Sequence, residues 1–188
     1  MDKQDTLDIN RKLAKAAYYL EVPVIVLHCS AFTIDSTALD HRKRDVVSKI
    51  PAFEKISKAY NITFAFENVM PGAATQLTEF AVNHSDPDYF GFCYDSSHHQ
   101  IDGPHNFDLL KRNVNRLKAV HISDRIREFV DHVIPGEGFI NFKQMTEIIH
   151  SVNLEFPLLM EVTTEHSRYK NPEEFLIKAY KEAKKLLY

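Results

Sequence analysis

Residues 89–98 have the sequence Tyr-Phe-Gly-Phe-Cys-Tyr-Asp-Ser-Ser-His, in which an uninterrupted apolar run (89–95) closes on an aspartate. Near-continuous hydrophobicity of this kind is typical of a strand that is covered on both faces of a parallel sheet. Four further runs share the pattern, at residues 23–28, 62–67, 117–122 and 156–161. Segments with helical periodicity alternate with these runs, so the sequence predicts an α/β fold with a parallel sheet built from βαβ units.

Helices are predicted between and around the strands, at residues 8–19, 41–60, 75–83, 106–113, 142–152 and 172–187. Asn141 and Asn171 are suitable N-caps for the last two helices. Pro172 then occupies the first helical position, where its missing N–H costs nothing. Linkers, low-complexity tracts and internal repeats are not evident in the sequence, so residues 1–188 are expected to form a single domain.

The amino-acid composition limits the classes of protein to which this chain can belong. The 188 residues are 44% hydrophobic and 26% charged with a net charge of −3, which is typical of a globular domain and gives no basic face for nucleic acid. The polar start at Met1–Asp5 is no signal peptide, and every apolar run is shorter than the roughly 20 residues of a membrane span. Cys29 and Cys93 lie in apolar runs, where buried reduced thiols indicate a cytoplasmic protein.

Each of the five apolar runs carries, at its C-terminal end, a side chain that can bind a metal or move a proton. In chain order these are His28, Glu67, Asp95, His121 and Glu161. They are 26 to 40 residues apart, close to the roughly 30 residues of one βα unit in a (β/α)₈ barrel. The C-terminal ends of parallel barrel strands open on one face, where active sites of this fold are built. Any one of these residues alone could simply cap a strand, but five in succession predict a shared site in a TIM-barrel type fold.

Two glutamates, one aspartate and one histidine make a mostly oxygen ligand set, at Glu67, Asp95, His121 and Glu161. Such a set predicts a divalent cation, with Mn²⁺ preferred and Mg²⁺, Co²⁺ or Zn²⁺ as alternatives. The cation would bind adjacent hydroxyl and carbonyl oxygens of a substrate and stabilise the enediolate formed when a neighbouring proton leaves. A carboxylate on either side of that carbon would act as general base and general acid.

Weaker candidates for substrate-binding or metal-binding residues lie in the loops that follow these strands. His98 comes three residues after Asp95, where it could reach a substrate or a second metal, and His99 is expected to face solvent. Arg127 is a candidate clamp for a substrate hydroxyl or phosphate, with surface charge as the alternative. His132 could overhang the site, and the glycines of Gly136-Glu137-Gly138 are expected to serve backbone geometry.

The motifs together resemble the xylose-isomerase-like TIM barrels, which include sugar phosphate isomerases and epimerases, ketose 3-epimerases, hydroxypyruvate isomerase and endonuclease IV. The matching segments are Phe64–Asn68, Tyr94–His98, Val120–Asp124, Pro135–Phe142 and Leu158–Val162. The resemblance implies that one divalent ion is held by Glu67, Asp95, His121 and Glu161. It further implies that the two glutamates are catalytic, exchanging a proton on opposite faces of the substrate. His98 and Arg127 match substrate-binding positions, His28 matches a strand-end metal ligand of endonuclease IV, and His28 and His132 are also expected near the substrate.

Two departures from the family pattern stand out. Ketose 3-epimerases carry a glutamate six residues beyond the first ligand glutamate, where this chain has Ala73. Counting back from Glu161 as the end of an eighth strand makes His28 the end of the fourth, so the chain is expected to hold the C-terminal five of eight βα units. An open partial barrel exposes two sheet edges. We expect a shortened or fragmentary chain that self-associates as a homo-oligomer; a longer parent protein or a second chain supplying the missing units are the alternatives.

The expected function is a metal-dependent isomerase or epimerase of a small sugar, sugar phosphate or related hydroxy-carbonyl compound. One alternative is an abasic-site DNA phosphodiesterase like endonuclease IV, in which His28, His98 and His132 would supply extra metal ligands. The net charge of −3 argues against that nucleic-acid activity. The other alternative is a shortened barrel without catalysis that binds only a metal or a partner.

Overall fold

A computed structural model of the chain describes residues 3–29, 34–154 and 158–186. The strands are β1 (Val24–Leu27), β2 (Thr63–Glu67), β3 (Phe90–Asp95), β4 (Leu117–Ile122) and β5 (Leu159–Met160). The helices are α1 (Lys3–Tyr19), α2 (Leu39–Tyr60), α3 (Ala73–Asn83), α4 (Ser96–His99), α5 (Asp108–Asn113), α6 (Phe142–Ile149) and α7 (Pro172–Lys185). The predicted order of strands and helices is confirmed, but the helix predicted at 142–152 ends at Ile149 and α4 was not foreseen. The predicted start of the last strand at Phe156 and the predicted end of the last helix at 187 lie outside the described residues.

The sheet is parallel, and its strand order follows the chain from β1 to β5. The expected (β/α) partial barrel is therefore confirmed, with β1 and β5 as its outer strands. In the register of the sheet Asp95 pairs with His121, whereas Glu67 pairs with Cys93, two residues before Asp95. The side chains that close the central strands thus start from neighbouring points on one edge of the sheet.

The core lies between the sheet and the helices that cover its outward face. Successive side chains of a strand alternate between the two faces, and the aromatic residues of β2 and β3 occupy the outward positions. Phe64 packs edge-on against Phe53 of α2 with ring centroids 5.1 Å apart, and Phe66 stacks on Phe90 at 5.5 Å. These rings are buried, and such aromatic pairs each contribute about 0.5–1.5 kcal/mol beyond their buried area. The inward positions at the C-terminal ends of the same strands carry Glu67 and Asp95.

Two helices begin at the predicted asparagine caps. Asn141 Oδ1 accepts a hydrogen bond from the backbone N–H of Gln144 at 3.1 Å, which fixes the start of α6. Asn171 Oδ1 accepts from Glu173 N and Glu174 N at 3.0 and 3.1 Å, and Pro172 follows as the first residue of α7. Each cap satisfies backbone donors that a helix N-terminus cannot satisfy internally.

Large apolar side chains are exposed along the two outer edges of the sheet. Near β5 and α7 they are Leu159, Leu176, Ile177 and Tyr180, and near α1 and β1 they are Ile9, Leu13, Leu20 and Val22. In the described ranges, none of the helices has the length and apolar character needed to cross a membrane.

Candidate metal centre

The four predicted ligands meet at the C-terminal edge of the sheet. Glu67 and Asp95 close β2 and β3, His121 is the penultimate residue of β4, and Glu161 follows β5, where its N–H donates to Ile122 O at 3.0 Å. One donor atom from each of the four lies within 4.8 Å of the others. Ligands on opposite sides of a small divalent ion are about 4.2 Å apart when each bond is about 2.1 Å. The spacing therefore suits a single cation.

Contacts between imidazole and carboxylate groups, together with hydrogen bonds to Asp95, hold the four residues of the cluster in place. His121 Nδ1 lies 3.1 Å from Glu67 Oε1 and 2.7 Å from Glu161 Oε2. Asp95 Oδ1 accepts hydrogen bonds from Ser97 Oγ at 3.0 Å and His98 N at 2.7 Å. Its other oxygen, Oδ2, is buried without a hydrogen-bond partner among the described residues. A buried carboxylate oxygen normally has a partner, so this atom and its neighbours fit a bound cation.

The pKa shifts within the cluster also indicate a site that suits a cation. Burial raises the pKa of Asp95, because the charged form loses its hydration. Burial also opposes ionisation of Glu67, but contacts with His121, His28 and His98 outweigh it and hold the pKa of Glu67 well below its usual range. For His121, burial favours the neutral form, yet contacts with Cys93, Glu161 and Glu67 outweigh it and raise the pKa. The cluster therefore carries negative charge, which attracts a cation.

Three of the four predicted substrate-binding side chains surround this cluster. His28 Nε2 lies 3.0 Å from Glu67 Oε2, with its side chain 45% exposed. His98 is buried, with Nδ1 3.1 Å from Asn68 O and 3.5 Å from Glu67 Oε1. The ring of His132 is 5.5 Å from that of His98 between centroids. Donor atoms of Asp95, His98 and His132 also lie within 4.8 Å of one another.

Arg127 is placed differently from the expectation. It is exposed, and its backbone pairs with Val130 in a hairpin beyond β4. Its part in substrate binding stays a prediction. The neighbouring Arg125 is fully buried instead, donating from Nε to Ser97 O at 2.8 Å and pairing with Asp131. The expectation that His99 faces solvent is wrong, because its ring packs beside the buried Tyr94, with Tyr94 Oη 2.8 Å from Nδ1, and burial lowers the pKa of His99 to about 4.

A side chain that the sequence did not single out aligns two of the ligands. Asn68 is fully buried and bridges the ends of β2 and β3. Its Oδ1 accepts from Asp95 N at 2.8 Å, and its Nδ2 donates to Asp95 O at 3.0 Å. Because Asn68 follows Glu67 directly, this pair of hydrogen bonds sets the relative positions of Glu67 and Asp95. The signal in the sequence was its place inside the Phe64–Asn68 motif.

The buried carboxylate of Asp124 organises the loop after β4. Asp124 accepts four backbone hydrogen bonds: Oδ1 from Arg125 N and Ile140 N, and Oδ2 from Gly136 N and Gly138 N, at 2.8 to 3.1 Å. Gly136 has φ +92°, and a Cβ on Gly138 would come within 2.0 Å of Arg125 O. The glycines therefore serve backbone geometry, as the sequence predicted, and the turn they form encloses the carboxylate.

Similar curated proteins include inosose dehydratases. The inosose dehydratase of Clostridium tetani is 29% identical over 159 residues, covering 73% of this chain and 52% of that protein. The uncharacterized protein y4fM of Sinorhizobium fredii is 26% identical over 172 residues, covering 85% and 53%. The chain thus spans about half the length of the curated relatives it matches.

Solved structures with the same fold cover nearly the whole chain. A D-tagatose 3-epimerase-like protein superposes with a TM-score of 0.77 at 19% identity, covering 98% of this chain and 69% of that one. The IOLI protein, described with a bound zinc atom, gives 0.71 at 19%, covering 100% and 70%. A family model described as a xylose isomerase-like TIM barrel matches residues 2–186. The chain therefore belongs to the xylose isomerase-like TIM barrel family, as its strand-end motifs indicated.

Proposed function

We propose that this protein is a divalent-metal-dependent isomerase or epimerase of a small sugar, sugar phosphate or related hydroxy-carbonyl compound. The observation that carries the proposal is the convergence of Glu67, Asp95, His121 and Glu161, from four different strand ends, with donor atoms within 4.8 Å. The names of the relatives point to the same substrates, since they include an inosose dehydratase and a D-tagatose 3-epimerase-like protein.

The four converging residues would hold the cation. Its charge would stabilise the negative charge that develops on substrate oxygens as a carbon-bound proton leaves. Three carboxylates and one imidazole suit Mn²⁺, which we propose as the preferred ion. Zn²⁺ is the main competitor, because a structural neighbour is described with zinc and imidazole binds both ions.

The two glutamates are placed unequally for proton transfer. The side chain of Glu67 is 4% exposed and that of Glu161 is 43% exposed. Glu67 is oriented from two sides, by His121 at Oε1 and by His28 at Oε2. We propose that Glu161 faces the substrate from the open side and that Glu67 exchanges a proton from the interior side. His28, His98 and His132 would then bind the substrate hydroxyls.

Elimination of water is a second candidate outcome, favoured by the curated relatives that are named inosose dehydratases. Epimerisation and dehydration of a hydroxy-carbonyl compound can share their first step, removal of a proton next to the carbonyl. They differ in the second step, since the proton returns in one reaction and a hydroxyl leaves in the other. The mass of the product separates them.

The test is proton exchange in heavy water. Metal-stripped protein should leave a panel of ketoses, sugar phosphates and keto-polyols unlabelled, and added Mn²⁺ should introduce deuterium next to the carbonyl of at least one compound. Mass spectrometry distinguishes this label from the loss of water. Protein that binds Mn²⁺ and yet neither labels nor dehydrates any member of the panel would count against the proposal.

We also propose that a second copy of the chain covers the open edge formed by β5 and α7. Leu176, Ile177 and Tyr180 form one exposed apolar face of α7, and Leu159, which pairs with His121, is exposed on the inward face of the outer strand. Exposed apolar surface of this kind is typical of an interaction site. Light scattering after gel filtration should give a multiple of the 21.7 kDa chain mass.

A Leu176→Lys, Ile177→Lys double variant should be monomeric, whereas Glu174→Lys on the same helix should not dissociate the oligomer. A monomeric wild-type protein at micromolar concentration would refute this proposal.

A further inference from the structure

A buried thiol lies on the inner side of the proposed metal centre. Cys93 is two residues before Asp95 in β3, so strand alternation places both side chains on the same face of the sheet. It is fully buried, and its register partner in β2 is Glu67. Sγ and one donor atom each from Glu67 and His121 lie within 4.8 Å of one another. A thiol, a carboxylate and an imidazole therefore converge at this position.

We infer that Glu67, Cys93 and His121 form a second ligand set, which holds a thiophilic divalent cation such as Zn²⁺ or Cd²⁺. The inference rests on the proposed metal centre and specifies which ions it takes. Three protein ligands of these types plus one open position are the usual tetrahedral shell of zinc. Thiolate selects soft ions, whereas the set completed by Asp95 and Glu161 offers hard oxygens that select Mn²⁺ or Mg²⁺. Coordination forms the sulfur–metal bond and releases the thiol proton to solvent.

The alternative is that Cys93 only fills space, as buried cysteines commonly do. The geometry favours a ligand. The fully buried Sγ lies within 4.8 Å of donor atoms of both Glu67 and His121, two residues that the oxygen set also uses. Asp95 Oδ2, which is buried without a hydrogen-bond partner in the described part of the chain, indicates a cation in the neighbouring oxygen set. The register partner of Cys93 in β4 is Ala119, whose small apolar side chain offers no competing donor.

The two ligand sets share Glu67 and His121, so they cannot be filled at the same time. An ion bound to Cys93 is also displaced from Asp95, because two residues of β3 span about 6.6 Å along the strand. Zn²⁺ bound by the thiol set would therefore exclude Mn²⁺ from the oxygen set. The side chain at position 93 would decide how strongly the two ions compete.

Cobalt substitution tests this assignment without reference to turnover. One equivalent of Co²⁺ added to the metal-stripped full chain should give a near-ultraviolet thiolate-to-cobalt charge-transfer band. The band should be absent in Cys93→Ser and present in Cys29→Ser, which removes the other cysteine, partly buried and in contact with Thr78 rather than with the cluster. Zn²⁺ affinity of Cys93→Ser should fall at least about tenfold, while Mn²⁺ affinity should be unchanged.

The outcomes separate this inference from the proposed function. If Mn²⁺ binds but the wild type lacks the band, or if Cys93→Ser keeps it, the thiol set is overturned and the oxygen-ligand centre stands. If neither Mn²⁺ nor Co²⁺ binds, the proposed function fails together with it. Should Cys93→Ser not fold, cadmium NMR of the wild type decides the question, because the chemical shift of bound cadmium distinguishes sulfur ligation from purely oxygen and nitrogen ligation.

Discussion

Replacing Asp124 with alanine is expected to lower the free energy of unfolding by about 4 kcal/mol or more. The fully buried carboxylate accepts four backbone hydrogen bonds, and each donor that loses its partner in a buried place costs about 1–3 kcal/mol. The loss should also release the 136–138 turn from the end of β4, beside His121. Urea unfolding followed by circular dichroism measures the change.

Two further variants make the Asp124 result specific. Asp124→Asn should be less damaging than alanine, because one acceptor oxygen remains while the amide nitrogen opposes the donors that faced the other. Asp102 is an exposed acid in the loop before α5, and Asp102→Ala should change stability by less than about 0.5 kcal/mol. If Asp124→Ala were as stable as Asp102→Ala, the carboxylate would not organise the loop.

Sequence patterns predicted the fold because buried parallel strands leave near-continuous apolar runs. The run at 89–95 became β3, with every residue from Phe90 to Asp95 buried. The single turn α4 was missed because four residues are too few to show a helical period. It forms because Asp95 Oδ1 accepts from His98 N, so a residue chosen as a metal ligand also caps a helix.

The candidate site was predictable where it depends on the sheet and not where it depends on loops. The ends of parallel strands converge by geometry, so Glu67, Asp95 and His121 could be brought together from their places in the sequence. Arg125 could not be foreseen as buried, because a charged residue is normally exposed and only the hairpin after β4 encloses it. Cys93 could have been assigned to the inner face from strand alternation alone.

Exchange of the substrate proton is expected to slow about 10²–10⁴-fold in Glu161→Gln, while the divalent ion stays bound. Glutamine keeps an oxygen that can coordinate, but it cannot take up a proton. Glu161 is the more exposed of the two glutamates, so it contributes less to holding the interior of the cluster than Glu67 does. Glu67→Gln should lose both exchange and ion affinity, since Glu67 contacts His28, His98 and His121.

The contrast between these two variants tests the proposed division of roles. Deuterium incorporation followed by NMR gives the exchange rate, and calorimetry with Mn²⁺ gives the affinity. Glu165→Gln is the matched control, because Glu165 is four residues beyond Glu161 and 76% exposed, and it should leave both quantities unchanged. Exchange at the wild-type rate in Glu161→Gln would show that this carboxylate moves no proton. Equal losses of ion affinity in Glu67→Gln and Glu161→Gln would show instead that the exposed glutamate holds the cation as firmly as the buried one does.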